Sequence, residues 1–156
     1  MIMQVVGYKD SGKTTLVEYI VKQAKKRGLT VVTIKHHGHQ GEDITLQDHQ
    51  VDHMKHFRAG ADQSIVQGTA YQQTVTRTRK QNLSDIIDES VTIDNQLIVV
   101  EGFKQANYPK IIVYSTQEEL RQLSQLNQII FRLNSNDANH LEEFNKWLDR
   151  ELEGLI

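Results

Sequence analysis

The spacing of apolar residues changes several times along the chain, and each change predicts a different element. The run MIMQVVG at residues 1–7 is short, apolar and ended by a glycine, which is typical of a buried strand. From residue 13 the spacing becomes helical, and one face collects Leu16, Tyr19, Ile20 and Ala24. Basic residues then crowd the last turn before Gly28, so we predict that the helix ends there.

The same alternation continues to the end of the chain. Apolar and β-branched runs predict further strands at residues 29–35, 61–68, 72–78, 95–102, 110–115 and 128–133. Helical spacing predicts helices at residues 49–60, 83–88, 116–123 and 138–152. Strands that alternate with helices indicate an α/β fold, in which a mainly parallel sheet has helices on both faces. We expect a single domain over residues 1–156, with an additional exposed β-hairpin.

Composition narrows the class of protein. A length of 156 residues, 38% of them hydrophobic and 24% charged, suits one globular core of ordinary size. No apolar run reaches the roughly 20 residues that span a bilayer, and no secretory signal opens the chain. Cysteine is absent, which excludes disulfides and thiolate metal sites. With a net charge of −2, we expect a cytoplasmic protein without a nucleic-acid or membrane partner.

The segment GYKDSGKTTL, after the first predicted strand, matches the phosphate-binding pattern G-x-x-x-x-G-K-[ST]. Gly7 and Gly12 let the loop curl so that backbone N–H groups point inward at phosphate oxygens. The following helix presents its N-terminal N–H groups to the same anion. Lys13 would neutralise the β- and γ-phosphates, and Thr14 would offer its hydroxyl to Mg²⁺. We therefore predict a nucleotide-binding loop rather than an ordinary turn.

A nucleotide site also needs an acid that holds the metal or positions water, and Glu101 is the best candidate. It ends the apolar run LIVV, and residues beyond the C-terminal ends of parallel strands line the ligand crevice. This position usually carries aspartate, so the longer glutamate favours contact with the metal through water. We predict that Lys13 and Glu101 are the catalytic residues and that Thr14 and Glu101 form the metal site.

Two features of a typical regulatory GTPase are missing from the sequence. There is no N/T-K-x-D segment, whose acid normally reads the guanine ring, and no clear D-x-x-G switch. Neither the identity of the base nor fast hydrolysis follows from the residues themselves.

Histidines are concentrated in one part of the chain, with six of the seven between His36 and His56. The second group, His49, His53 and His56, would share a face if its segment were helical. Such imidazoles would suit Zn²⁺ or Ni²⁺ together with nearby aspartates, Asp43, Asp48 or Asp52. They would equally suit a pocket for an anionic substrate or a solvated loop. Contact with a polyanion is at least as well supported, from Lys35, His37, Lys55 and Arg58.

The order of several segments resembles the MobB family, the molybdopterin-guanine dinucleotide biosynthesis adaptors. The segments are GYKDSGKTTL, TIKHHGH, DHMKHFRAGA, VVEGFK and YPKI, and they cover roughly the first 115 residues. The resemblance implies a GTP-binding protein with Mg²⁺, weak GTPase activity and a homodimeric state. It also implies partnership with the guanylyltransferase that makes the dinucleotide cofactor, and molybdopterin as a further candidate ligand.

The resemblance also implies roles for individual residues. The phosphate loop would comprise Gly7, Lys9, Asp10, Ser11, Gly12, Lys13, Thr14 and Thr15. Further ligand contacts would come from His37, His39, Lys55, Arg58 and Lys104. Two departures from the family pattern stand out. Lys55 stands where arginine is common in the family, so the two-point contact of a guanidinium with phosphate is lost. Residues 40–48 are less apolar than expected for the family.

Two other functions use the same loop. A metallochaperone NTPase for nickel or zinc would explain the clustered histidines. A small-molecule kinase would need a basic lid, for which Arg77, Arg79 and Lys80 are candidates, although an exposed hairpin explains that segment better.

Overall fold

The structure is a computed structural model that describes residues 1–38, 43–79 and 81–156. It separates into two compact units, Met1–Gly38 with Leu83–Ile156, and His39–Asn82. The strands of the first unit are β1 (Ile2–Gly7), β2 (Val31–Lys35), β5 (Leu97–Glu101), β6 (Lys110–Tyr114) and β7 (Ile129–Asn134). Its helices are α1 (Lys13–Lys26), α3 (Leu83–Ser90), α4 (Gln117–Leu123) and α5 (Ala138–Glu153). The second unit contains α2 (Asp52–Arg58), β3 (Gln63–Gln67) and β4 (Gln72–Thr76).

The five strands of the first unit form one parallel sheet in the order β2-β5-β1-β6-β7. Parallel strands need crossover connections. Helices lie in those from β1 to β2, from β2 to β5 and from β6 to β7, whereas a loop over residues 102–109 joins β5 to β6. Strand β1 lies at the centre of the sheet between β5 and β6 and is buried on both faces. This explains why its sequence is an almost continuous apolar run. The predicted mainly parallel α/β sheet is confirmed, and β3 and β4 form the additional antiparallel hairpin.

Both faces of the sheet are covered because side chains alternate along each strand. Met3 and Val5 belong to a core that also contains the buried stripes of α1 and α5, among them Ile20 and Leu148. The opposite face packs in two smaller clusters, one containing Val6 with α4 residues and one containing Val100 with α3 residues. Among the described helices, none is long and apolar enough to cross a membrane.

The ends of the helices follow their local sequence. Helix α1 begins after Gly12, at a φ of 89°. It ends before Gly28, which has a left-handed φ of 77°. The N–H of Gly28 donates to the carbonyl of Lys25. Asp137 caps the N-terminus of α5, and its carboxylate accepts a hydrogen bond from the backbone N–H of Asn139 at 2.9 Å. The predicted end of α1 at Gly28 is therefore confirmed.

The second unit is held by contacts around α2. Met54 and Phe57 are its buried helical residues. The guanidinium of Arg77 lies 4.2 Å from the centre of the Phe57 ring and donates to the Phe57 carbonyl at 2.8 Å. Ser64 on β3 donates to the carbonyl of His53 at 3.0 Å. Arg77 therefore has a structural contact inside this unit, whereas Lys80 lies outside the described residues.

Candidate nucleotide-binding site

The loop between β1 and α1 has a backbone that only small or permissive residues can form. A Cβ atom at Gly7 would lie 2.6 Å from Ser11 Oγ and 2.7 Å from the carbonyl oxygen of Val113, so a side chain does not fit there. Asp10 and Gly12 both have left-handed φ angles, 58° and 89°. Such turns direct consecutive N–H groups toward one point, which is how a backbone cradle binds an anion.

Lys13 supplies the positive charge of this loop. Its ammonium group donates a hydrogen bond to the carbonyl oxygen of Tyr8, which holds the side chain across the loop. Burial lowers the pKa of Lys13, the carboxylate of Glu101 opposes that shift, and the charges of Lys104 and Lys35 add to it. Asp10 also opposes the shift, so the three lysines of this site face two carboxylates and leave an excess of positive charge for a polyphosphate.

Glu101 is the buried acid of the site, with 9% of its surface exposed. Its two carboxylate oxygens lie 3.0 Å and 3.1 Å from the hydroxyl of Thr14, which donates to them. The ammonium group of Lys35 lies 3.3 Å from Glu101 Oε1. The parallel register pairs Glu101 with Lys35 on β2 and with Val5 on β1. Three neighbouring strands therefore end together and bring the acid to the first turn of α1.

The loop after Glu101 is anchored by Gln4 and Phe103, two residues that the sequence analysis did not single out. Gln4, buried within β1, donates from Nε2 to the carbonyl oxygens of Gly102 and Phe103, both at 2.9 Å. The ring of Phe103 stacks on His36 with 4.5 Å between ring centres. Lys104 then lies with its ammonium group 4.4 Å from the centre of the Tyr8 ring. A glutamine inside an apolar strand was the available signal for this anchor, because a buried amide needs partners.

The remaining predicted residues have separate positions. Lys9, Asp10 and Thr15 are exposed in or beside the phosphate loop, and His37 is exposed after β2. Lys55 and Arg58 lie on α2 in the second unit, where Lys55 is 3.6 Å from Asp52. His39 lies outside the described residues. The structure thus brings Lys13, Thr14, Glu101 and Lys104 together around one loop.

The histidines of the second group do not all lie on one helical face. His49 precedes α2, while His53 and His56 are within it. The imidazole of His53 is 2.7 Å from Gln47 Oε1, and that of His49 is 3.5 Å from Asp48 Oδ1. Within residues 1–38, 43–79 and 81–156, no group of three histidine, aspartate or glutamate side chains is arranged to hold a metal ion.

A central parallel strand followed by G-x-x-x-x-G-K-T, with an acid from the neighbouring strand at the start of the helix, is the arrangement of a P-loop fold. The sequence model of MobB, described as molybdopterin guanine dinucleotide synthesis protein B, matches residues 2–134. The chain belongs to this family. It is 37% identical over 141 residues to a probable molybdopterin-guanine dinucleotide biosynthesis adapter protein of Bacillus subtilis, covering 89% of this chain and 80% of that one.

Solved structures agree with this assignment. A MobB protein homolog from Bacillus stearothermophilus superposes with a TM-score of 0.75 at 28% identity, over 98% of each chain. Bacillus subtilis MobB superposes with a TM-score of 0.68 at 35% identity, over 85% of this chain and 76% of that one. The resemblance to the MobB family is therefore confirmed, and the α/β fold predicted from the alternation of strands and helices agrees with these structures.

Proposed function

We propose that this protein is a GTP-binding adaptor in the biosynthesis of molybdopterin guanine dinucleotide. The observation that carries the proposal is the contact of Thr14 with Glu101 beside the ammonium group of Lys13. Membership of the MobB family and similarity to the probable biosynthesis adapter protein of Bacillus subtilis support the choice of pathway. In this role the protein assists the guanylyltransferase that makes the dinucleotide cofactor.

The phosphate loop would hold the triphosphate through its backbone N–H groups and Lys13. Thr14 and Glu101 fit a magnesium ion, because both offer the hard oxygen ligands that Mg²⁺ prefers and they already lie within 3.1 Å of one another. The ion would neutralise charge on the β- and γ-phosphates. Lys35 and Lys104 extend the positive surface beside this position, so they support a phosphate-rich ligand.

Slow turnover is the expected kinetic property. Hydrolysis needs a group that orients the attacking water. Glu101 is the acid of this site, and its carboxylate is already engaged by Thr14 and Lys35. This arrangement supports a protein that binds GTP and at most hydrolyses it slowly, which suits an adaptor whose partner performs the chemistry.

The proposed assembly is a homodimer in the cytoplasm. A two-stranded sheet is only marginally stable by itself, and its outer edges can pair with another chain. The β3–β4 hairpin exposes Ile65 and Tyr71 by 57% and 86%. A second copy that covers this hairpin would bury these apolar side chains. The absence of cysteine suits the reducing cytoplasm.

Calorimetric titration with GTP and with ATP, each in Mg²⁺, tests the proposal. We expect GTP to bind more tightly than ATP, and the Lys13→Ala variant to lose most of the affinity while remaining folded. Lys22→Ala is the matched control, because Lys22 is an exposed lysine of the same helix, 3.8 Å from Glu18. Absence of binding by either nucleotide, or a clear preference for ATP, would contradict the proposal.

The adaptor role needs a separate measurement. We expect addition of the protein with GTP to increase the yield of dinucleotide cofactor from the guanylyltransferase, and the Lys13→Ala variant to give a smaller increase. An equal increase with and without an intact phosphate loop would show that nucleotide binding is not part of the adaptor role.

A further inference from the structure

One exposed lysine reaches the buried acid of the phosphate site. The ammonium group of Lys35 lies 3.3 Å from Glu101 Oε1, and within the described part of the chain it is the one cation in ion-pair contact with that carboxylate. The two residues are partners in the parallel register of β2 and β5. The same carboxylate accepts from the hydroxyl of Thr14, which is the other proposed magnesium ligand. Lys35 therefore holds its positive charge beside the oxygens that the metal would use.

The two partners of this ion pair differ in their freedom to move. The carbonyl of Glu101 accepts from the His36 N–H at 2.9 Å. Gly102, the next residue, donates to the Val5 carbonyl at 3.0 Å, so the backbone of the acid is held on both sides. The Glu101 side chain is largely buried, whereas 61% of the Lys35 side chain is exposed, on a flexible four-carbon stem. The lysine can leave the carboxylate, and the carboxylate stays in place.

The other two lysines of the site have different partners. The ammonium group of Lys13 donates to the Tyr8 carbonyl, and that of Lys104 lies 4.4 Å from the centre of the Tyr8 ring. Each of them attracts phosphate through its charge. Lys35 differs because its partner is the acid that would serve a metal ion. Removal of Lys35 should therefore change metal binding in a way that removal of Lys104 does not.

We propose that Lys35 competes with Mg²⁺ for the carboxylate of Glu101 and so sets how strongly nucleotide binding depends on the metal. A carboxylate that is neutralised by a nearby ammonium group attracts a second cation less strongly. An ion pair with an exposed lysine is weak, so a divalent cation can displace the lysine at a moderate loss of affinity. This inference rests on the proposed nucleotide binding and adds the residue that determines its metal dependence.

The gain in GTP affinity on adding Mg²⁺ is the quantity that tests this inference. Calorimetric titration with GTP gives it, once in saturating Mg²⁺ and once in a chelator. We expect the gain to be about fivefold larger in Lys35→Met than in the wild type, which is the upper range for an ion pair with an exposed partner. An unchanged gain would make Lys35 a phosphate contact only, and a smaller gain would make it a support for Glu101. Either result would overturn the competition.

Lys104→Met is the matched control, because it removes the same charge from the same site without removing a partner of the carboxylate. We expect its GTP affinity to fall by the same factor with and without Mg²⁺, so that its gain equals that of the wild type. Lys35→Arg keeps a cation beside Glu101 and should keep or reduce the wild-type gain. If either variant showed the same increase as Lys35→Met, the effect would not come from competition at the carboxylate and the inference would fail.

Glu101→Gln shows whether the lysine acts through the carboxylate. The amide keeps the size of the side chain and removes its charge. In this background we expect Lys35→Met to leave the gain unchanged, because the charge for which the two cations compete is gone. The same increase with Glu101 and with Gln at this position would overturn the inference.

Failure of this inference and failure of the proposed function give different results. If the wild type binds GTP and the gain is equal in the wild type and Lys35→Met, nucleotide binding stands and the competition fails. If GTP binds but Mg²⁺ gives no gain in either protein, the metal site and the inference fail together. If the wild type binds GTP neither in Mg²⁺ nor in the chelator, the proposed function fails as well.

Discussion

The hydroxyl of Thr14 donates to both carboxylate oxygens of Glu101, at 3.0 Å and 3.1 Å, across 87 residues of sequence. This contact joins the first turn of α1 to the end of β5. Lys35 approaches the same carboxylate to 3.3 Å from the neighbouring strand. The acid is thus held between a hydroxyl that would ligate magnesium and a lysine that neutralises it in the free protein.

Glu101→Gln should weaken the effect of Mg²⁺ on GTP binding. The amide keeps the size of the side chain but removes the charge that favours a divalent cation. We expect the gain in GTP affinity on adding Mg²⁺ to shrink about tenfold, with a small change in its absence. Titrations with Mg²⁺ and with a chelator measure this gain. Glu18→Gln, an exposed acid on α1, is the control; a full Mg²⁺ response in Glu101→Gln would contradict the metal role.

Gly7→Ala should destabilise the phosphate loop. The new Cβ would lie 2.6 Å from Ser11 Oγ and 2.7 Å from a backbone carbonyl, and backbone cannot move as cheaply as a side chain. We expect a loss of about 1–3 kcal/mol in the free energy of unfolding, measured by urea denaturation, together with weaker GTP binding. Gly154→Ala is the control, since its Cβ would lie 3.5 Å from the nearest carbonyl oxygen. Equal stability of both variants would refute the steric argument.

At alkaline pH, the protein should take up protons when it binds a polyphosphate. Burial lowers the pKa of Lys13 below 10.5, so the free protein loses this proton before an ordinary lysine does. A bound polyphosphate favours the charged form and raises the pKa again. We therefore expect GTP affinity to decrease as the pH rises toward 10.5. Calorimetry in two buffers of different ionisation enthalpy measures the proton uptake, and uptake that does not increase with pH would contradict this assignment.

Lys110→Met should reduce stability rather than nucleotide binding. Lys110 is fully buried, and burial lowers the pKa of its amine. Its ammonium group donates to the Ala106 carbonyl, to the Tyr108 carbonyl at 3.0 Å and to Asn127 Oδ1 at 3.0 Å. Methionine relieves the burial of charge but leaves these acceptors unpaired, which costs more. We expect a loss of about 2 kcal/mol. Lys22→Met, on an exposed helix face, should change little in the same denaturation experiment.

Ile65→Lys should weaken the proposed dimer. Ile65 is 57% exposed on the β3–β4 hairpin, and a charge there would be buried without a partner if a second copy covered it. We expect light scattering to give the wild type twice the mass of the 18.0 kDa chain. The mass of Ile65→Lys should fall toward that of a single chain as the variant is diluted. Ile93→Lys, 56% exposed in the other unit, is the control. An unchanged dimer in Ile65→Lys would place the interface elsewhere.

Local sequence determined the elements and the loop. The spacing of apolar residues was sufficient to predict α1 and the central strands. A helix buried along one stripe, or a strand buried on both faces, has a characteristic pattern of apolar residues in the sequence. The phosphate loop was also readable, since its glycines and Lys13 act through the backbone of one short segment. Placement of Glu101 followed from the general rule that parallel strands end at a common edge.

Tertiary structure alone decided which distant residues meet. The pairing of Glu101 with Lys35 depends on the register of β2 against β5, and the Gln4 contacts depend on where the next loop returns. Periodicity records which side of an element is buried, whereas register and crossover fix its neighbours.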